Sequence, residues 1–405
     1  MHRSLVLLAL AACTPRLSPA TAQTLVAALR PTPETDDPAA PSTDLAAVRE
    51  VVGSAKIVGL GSPGPGAREL TRVHHRVLRL LVEETGFTGL ALDADATAAL
   101  ALDAFIRGAA IDPDAALLAL ADRGLATVEM REVLQYLRAY NTAHGGALRV
   151  FGLAPSDPDA AAAVALAYLE RVDPAYVPEA RSLLAGEQQL GVDAVRARLD
   201  ARRADYLARS DAGAWSTARQ QVELVAQARR MAETWEFEAG EFARARNAEW
   251  ALAQLGVGGK LVILADNRRV AREVPGAAPA MGDFLRQWFA ADYRAIAASF
   301  GDGSRLASRD ERTLCGTALP PPRAGSLDAA LVTKARLVWL DLRARPEPAL
   351  RKPQVLRSWV GASVEDTVLR PAIAFDAILG LRHVQPVTPL GAGPLAGTCY
   401  TLLTP

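Results

Sequence analysis

Short, continuous apolar runs alternate along the chain with longer stretches of helical periodicity, as expected of strands joined by crossover helices. Residues 55–61, Ala-Lys-Ile-Val-Gly-Leu-Gly, form an apolar run bounded by glycine, and an amphipathic stretch from Arg68 to Thr85 follows. Gly86-Phe87 punctuates the end of that helix, and residues 89–95, Gly-Leu-Ala-Leu-Asp-Ala-Asp, read as a second buried strand. A strand–helix–strand unit of this kind implies parallel pairing. Further strands are predicted at 148–153, at 260–264, near 293–297 and at 336–341. Between Asp157 and Leu255 the chain is rich in alanine, arginine and glutamate with helical periodicity, too long for one crossover, and predicts a helical insertion. The expected fold class is α/β, a mostly parallel sheet flanked by helices with a large helical insertion at about 157–255. The α/β domain spans 44–395, and 396–405 reads as a C-terminal tail.

The N-terminus departs from this pattern. His2 and Arg3 precede the apolar run Leu5 to Leu10, too short to span a bilayer but suited to a secretory segment. It ends in Leu10-Ala11-Ala12-Cys13, which resembles a bacterial lipobox and makes 1–13 a signal peptide with Cys13 as lipid anchor. Ala20-Thr21-Ala22 offers a competing cut for ordinary signal peptidase. The expected location is extracytoplasmic, as a membrane-anchored lipoprotein or as a secreted or periplasmic protein. Residues 14–43, rich in Pro, Thr, Ala and Asp, read as a disordered tether because they carry little apolar surface to offset chain entropy.

Composition narrows the partners. Lys+Arg and Asp+Glu both number 45 in the 405 residues, so the basic footprint of a nucleic-acid binder is missing. Apart from Cys13 the only cysteines are Cys315 and Cys399; in an oxidising compartment they either form a disulfide or remain two unrelated buried thiols. Neither lies at metal-ligand spacing, and no cofactor is expected.

Chemistry concentrates in the loop at 59–69, Gly-Leu-Gly-Ser-Pro-Gly-Pro-Gly-Ala-Arg-Glu. Its first six residues match GxGxxG after a strand, with Asp93 on the next strand where a dinucleotide fold places its ribose-binding acid. Pro63 and Pro65 remove backbone donors that a pyrophosphate would use, and Asp93 lies farther off than the usual spacing. A phosphate loop is therefore the weaker reading.

The same loop and the residues after it resemble the erythromycin esterase family. The first motif of that family runs roughly Gly-Glu-(Ala/Ser)-Thr-His-Gly-(Thr/Ser)-x-Glu, and residues 61–69 occupy its place. His74-His75-Arg76, the run Leu81-Val82-Glu83-Glu84-Thr85-Gly86-Phe87 and Ala91-Leu92-Asp93-Ala94-Asp95 follow as in the family. Residues 132–141 and 150–153, then 281–285, 299–304, 340–343, 356–358 and 375–378, continue the likeness in order over about 50–390. The second motif, of the form Ala-His-Asn-x-His-Val, aligns with Ala265-Asp266-Asn267-Arg268-Arg269-Val270.

The resemblance implies a histidine acting as general base on a water that attacks a lactone ester, work suited to an imidazole whose pKa lies near neutrality. Here the base position is Pro65, the motif glutamate is Ser62, and the two second-motif histidines are Asp266 and Arg269. Asp93 replaces the longer acid of the second strand. The expectation is a catalytically impaired homologue with no catalytic residues, binding a small molecule or a protein partner through the former cleft. Glu69, His74, His75, Arg76, Asp93 and Asn267 are the candidate cleft residues, with Asp266 and Arg269 either lining it or merely pairing as ions. Two alternatives stay open: a divergent ester or lactone hydrolase using Asp93, Asp266 or a helix histidine, and a haem- or metal-binding surface lipoprotein.

Overall fold

A computed structural model describes residues 15–32, 37–120, 122, 124–186, 188–234, 237–310, 312–344, 347–360, 363–395 and 397–402. The expected signal peptide and Cys13 lie outside these residues. The chain divides into two compact units: residues 1–88, 123–136 and 260–405, and residues 89–122 and 137–259.

Thirteen strands are described: β1 Arg30–Pro31, β2 Ile57–Ser62, β3 Gly89–Asp95, β4 Arg149–Ala154, β5 Leu261–Asp266, β6 Tyr293–Ser308, β7 Thr313–Leu319, β8 Leu337–Asp341, β9 Gln354–Val360, β10 Ser363–Leu369, β11 Ala377–Val384, β12 Ala392–Pro394 and β13 Cys399–Leu402. In the first unit β11, β6, β2 and β5 are successive parallel neighbours. β8 adds to β11, and β1 to β8, both antiparallel. The far half of β6 turns to a different partner, pairing antiparallel with β7, which continues through β13 to β12. Central strands are buried on both faces, as a parallel sheet covered by helices requires. β9 and β10 form a separate antiparallel hairpin.

The second unit contains the parallel pair β3–β4 and six helices between Pro158 and Gln254. Helix Ala212–Thr234 packs on helix Pro158–Val172 around a core that includes Leu166, Leu169, Val195, Tyr206, Val222 and Val225. Asn247 is buried in the same unit and binds both Gln220 and Gln227 and the carbonyl of Leu153, with both its oxygen and its amide nitrogen paired.

Two segments differ from expectation. The stretch read as a tether carries a helix, Pro19–Ala28, capped by the Ser18 hydroxyl on the N–H of Thr21, and then β1. Leu17, Leu25 and Leu29 are buried. Three spaced leucines and a Ser-Pro helix start suffice to order a segment whose composition is otherwise that of a linker. The expected C-terminal tail contains β13, opposite β7, and a disulfide joins Cys315 to Cys399 at directly paired positions.

Candidate active site

β2 and β5 end side by side, with Ser62 paired in register to Asp266, so the two residues sit together at the carboxyl edge of the parallel strands. That edge is where open α/β sheets place their ligands. The local packing explains the glycines on β2. A Cβ on Gly59 would lie 2.8 Å from the Tyr293 hydroxyl, and one on Gly61 2.5 Å from Asn267 Oδ1. Both residues face the short helix Asn267–Val270, which presses directly on the strand. Their role is close approach of the chain to itself.

The loop after β2 is internally consumed. The Ser62 hydroxyl donates to the Gly64 carbonyl at 2.5 Å and accepts from the Gly64 N–H at 3.0 Å. The Gly66 carbonyl accepts from the N–H groups of Leu306 and Val387, and the Arg68 N–H donates to the Gln385 carbonyl. With Pro63 and Pro65 lacking N–H groups and Gly64 N already bonded, the loop is not the anion cradle that its glycine pattern suggested.

Trp359 on β9 fills the other side. Its backbone N–H donates to the Pro63 carbonyl and its indole N–H to the Pro65 carbonyl, each at 2.8 Å. Gly64, at φ 150°, lies so near that a Cβ would come within 2.3 Å of the indole. Phe300 meets the Trp359 ring edge-on at 4.8 Å, and the buried Arg305 guanidinium lies 5.3 Å from its centre. Burial pulls the Arg305 pKa down to about 10. Trp359 and Arg305 were not legible as loop partners. The available signal was a tryptophan whose indole N–H needs an acceptor once buried.

Asp266, Asn267 and Arg269 make structural contacts. Asp266 caps the helix Asn267–Val270, accepting the Arg269 N–H at 2.9 Å, and its other oxygen pairs with Arg269 Nη1 at 3.1 Å. Asn267 is buried and spends its side-chain amide on the Ala298 backbone, donating to the carbonyl at 2.7 Å and accepting the N–H at 2.9 Å.

The helix Arg68–Thr85 distributes its four candidates among separate tasks. Glu69 is buried and accepts the Gln385 N–H at 2.6 Å, with Arg68 Nη2 3.3 Å away. His74 binds the Gly61 carbonyl, and desolvation outweighs that bond, lowering its pKa to about 4. His75 turns instead toward Tyr136, ring centroids 5.4 Å apart. Burial and the cations Arg79 and Arg72 lower its pKa to about 4 as well. Arg76 and Asp44 form a buried bidentate pair at 2.7 and 3.0 Å, with the Pro41 carbonyl as a further acceptor. In the second unit, Asp93 pairs with Arg244 Nε at 2.7 Å. Asp95, which nothing in the sequence pattern distinguishes from its neighbours, collects four backbone N–H groups on its carboxylate, from Thr97, Ala98, Ser156 and Asp157.

Thus the structure brings Ser62, Pro65, Asp266, Arg269, Asn267 and His74 around the ends of β2 and β5. It assigns Glu69, His75 and Arg76 to backbone support, ring packing and a buried ion pair. Among the described residues no group of three or more His, Cys, Asp or Glu side chains is placed to hold a metal ion. No helix among them is long and apolar enough to cross a membrane.

Comparison with known proteins agrees with this geometry at the level of fold. A Bacillus cereus protein of known structure superposes with a TM-score of 0.80 at 22% identity, covering 91% of this chain and 98% of that one. A succinoglycan biosynthesis protein gives 0.78 at 19% identity over 91% and 97%. An erythromycin esterase EreC mutant in its open conformation gives 0.68 at 18% over 89% and 99%. The erythromycin esterase family model matches residues 82–384, beginning in the last turn of the helix Arg68–Thr85, beyond the loop, and running through β11. On that match, the chain belongs to the erythromycin esterase family.

Proposed function

We propose that the chain is an exported, catalytically impaired member of its family, which binds a small molecule or a protein partner at the ends of β2 and β5 without turning it over. The observation that carries this reading is the state of the base position. Pro65 has no side chain able to take a proton, and its carbonyl is already held by the Trp359 indole. Loss of one general base costs roughly 10²–10⁴ in rate, and cooperating groups lost together remove the mechanism. Asp266 and Asn267 add to the argument because both are committed to holding the helix start and the neighbouring strand.

The assay is incubation of the full mature chain with erythromycin and with p-nitrophenyl esters. The expected result is no turnover above a Ser62→Ala/Asp266→Ala control. Hydrolysis that this double variant abolishes would overturn the reading. Export is tested separately by metabolic labelling with palmitate, which should mark the native chain and not Cys13→Ala.

A divergent hydrolase has one observation in its favour: His74 is neutral at pH 7 and oriented by the Gly61 carbonyl. A base with a pKa of about 4 is a poor proton acceptor at that pH, so this reading demands a rate that falls only below about pH 4 and is lost in His74→Gln.

A further inference from the structure

The second unit carries a groove of about 610 Å³, within the range of small-molecule sites, between its first helix Ala99–Ile106, β4 and the helix pair Pro158–Val172 and Ala212–Thr234. Three arginines reach it: Arg107, Arg149 and Arg171. Two carboxylates line it as well, but both are occupied. Asp103 is buried and accepts Arg149 Nε at 2.9 and 3.1 Å and the Val150 N–H at 2.9 Å, with Arg107 Nη1 3.8 Å off. Asp211 accepts the Ala214 N–H at 2.8 Å, starting the helix Ala212–Thr234. Arg171 lies over the Tyr168 ring at 5.4 Å and has no ion-pair partner among the described residues. The remaining walls are mostly apolar, with Thr217 and Gln254 the polar exceptions, and the small Ala104, Val164 and Ala167 leave the space open.

Arginine guanidinium groups are planar forks suited to phosphate and carboxylate oxygens. Here Arg149 is fixed by Asp103 through Nε, which leaves its terminal nitrogens directed elsewhere, while Arg107 and Arg171 are exposed at the rim. The walls would receive an apolar body, and the arginine edge, three guanidinium groups against two carboxylates with Arg171 unpaired among the described residues, would receive an anionic head. We infer that this groove binds a small organic anion, a phosphate monoester or carboxylate on an aromatic or short aliphatic body. The site is independent of the motif loop: every residue in it belongs to the second unit.

Isothermal titration of the full chain with phenyl phosphate, benzoate, inorganic phosphate and phenol tests the assignment. Phenyl phosphate or benzoate binds, whichever headgroup the groove prefers; inorganic phosphate binds more weakly for lack of a body, and phenol does not bind. Arg171→Ala weakens binding about tenfold, equivalent to roughly 1.4 kcal/mol, and Arg171→Lys restores part of it. Ala167 is exposed, so Ala167→Trp fills the groove without disturbing the core and abolishes binding while the melting temperature holds. The inference falls if neither organic anion binds at about 10 mM, a level above the weakest specific affinities. It also falls if phenol binds as well as phenyl phosphate, or if binding survives both Arg171→Ala and Ala167→Trp.

Discussion

The loop after β2 and the groove of the second unit are both polar surfaces, yet they differ in what remains unspent. In the loop, the Ser62 hydroxyl, the Gly64 N–H and the carbonyls of Pro63, Pro65 and Gly66 all bond to the chain itself. In the groove, two carboxylates are answered while Arg171 faces only an aromatic ring. A binding site needs donors or acceptors that folding has not used. By that measure the loop backbone has become part of the core's support, so a ligand of the proposed cleft would have to be held by side chains around the strand ends, whereas in the groove Arg171 is left for one.

The comparison breaks most sharply at Trp359. Trp359→Ala removes a buried ring and orphans the Pro65 carbonyl, and is expected to cost about 3–5 kcal/mol in denaturant unfolding. A cost below about 1 kcal/mol would mean the loop holds itself without the indole.

The second test concerns the strands that extend β6. Cys399→Ala opens the link across 84 residues and should lose about 2–4 kcal/mol relative to the unsubstituted protein, a difference that vanishes when both are unfolded under reducing conditions.

A third asks whether buried charge in the first unit is itself held ready for titration. Asp328 lies fully buried, accepting from the Ser299 hydroxyl and the Arg357 N–H, and desolvation raises its pKa to about 6. The folded state therefore holds a proton there that the unfolded chain gives up near pH 4. The resulting stability is complete below pH 4 and is lost as pH rises from about 4 to about 6. Asp328→Asn should flatten that slope in a pH series of unfolding midpoints. An unchanged slope would assign it to other groups.

Smaller effects follow at the motif remnants. Asp266→Ala loses a helix cap and should cost about 1 kcal/mol, with Asp266→Asn recovering most of it if capping is its task. Arg171→Ala should change stability by less than about 0.5 kcal/mol, since an exposed arginine without a carboxylate partner contributes little to the fold. A larger loss would make Arg171 a structural residue and weaken the contrast with the loop.

The parts of the fold that were legible in the sequence share one property. β2, β3, β4, β5 and β8 are short apolar runs bounded by glycine or charge, and burial on both faces writes itself into composition. β10 escaped because it is exposed along most of its length and reads Ser-Val-Glu-Asp-Thr-Val-Leu. β7 and β13 escaped because their pairing is fixed by a partner 84 residues away and not by local pattern. The helix Pro19–Ala28 was hidden by linker-like composition, its few leucines being enough only because a surface waits to receive them.

The candidate site divides along the same line. Sequence alone determined that position 65 is a proline and that positions 266 and 269 are an aspartate and an arginine, because covalent identity settles which side chains can carry a proton. It also determined that His74 and His75 diverge, since neighbours on a helix point about 100° apart. Only the tertiary structure decided that Glu69 serves the Gln385 backbone, that Arg76 closes on Asp44 and that Trp359 stoppers the loop. These contacts span between 32 and 316 positions of sequence. Hydrogen-bond partners at such separations are chosen by the packing of whole elements, which no local pattern records.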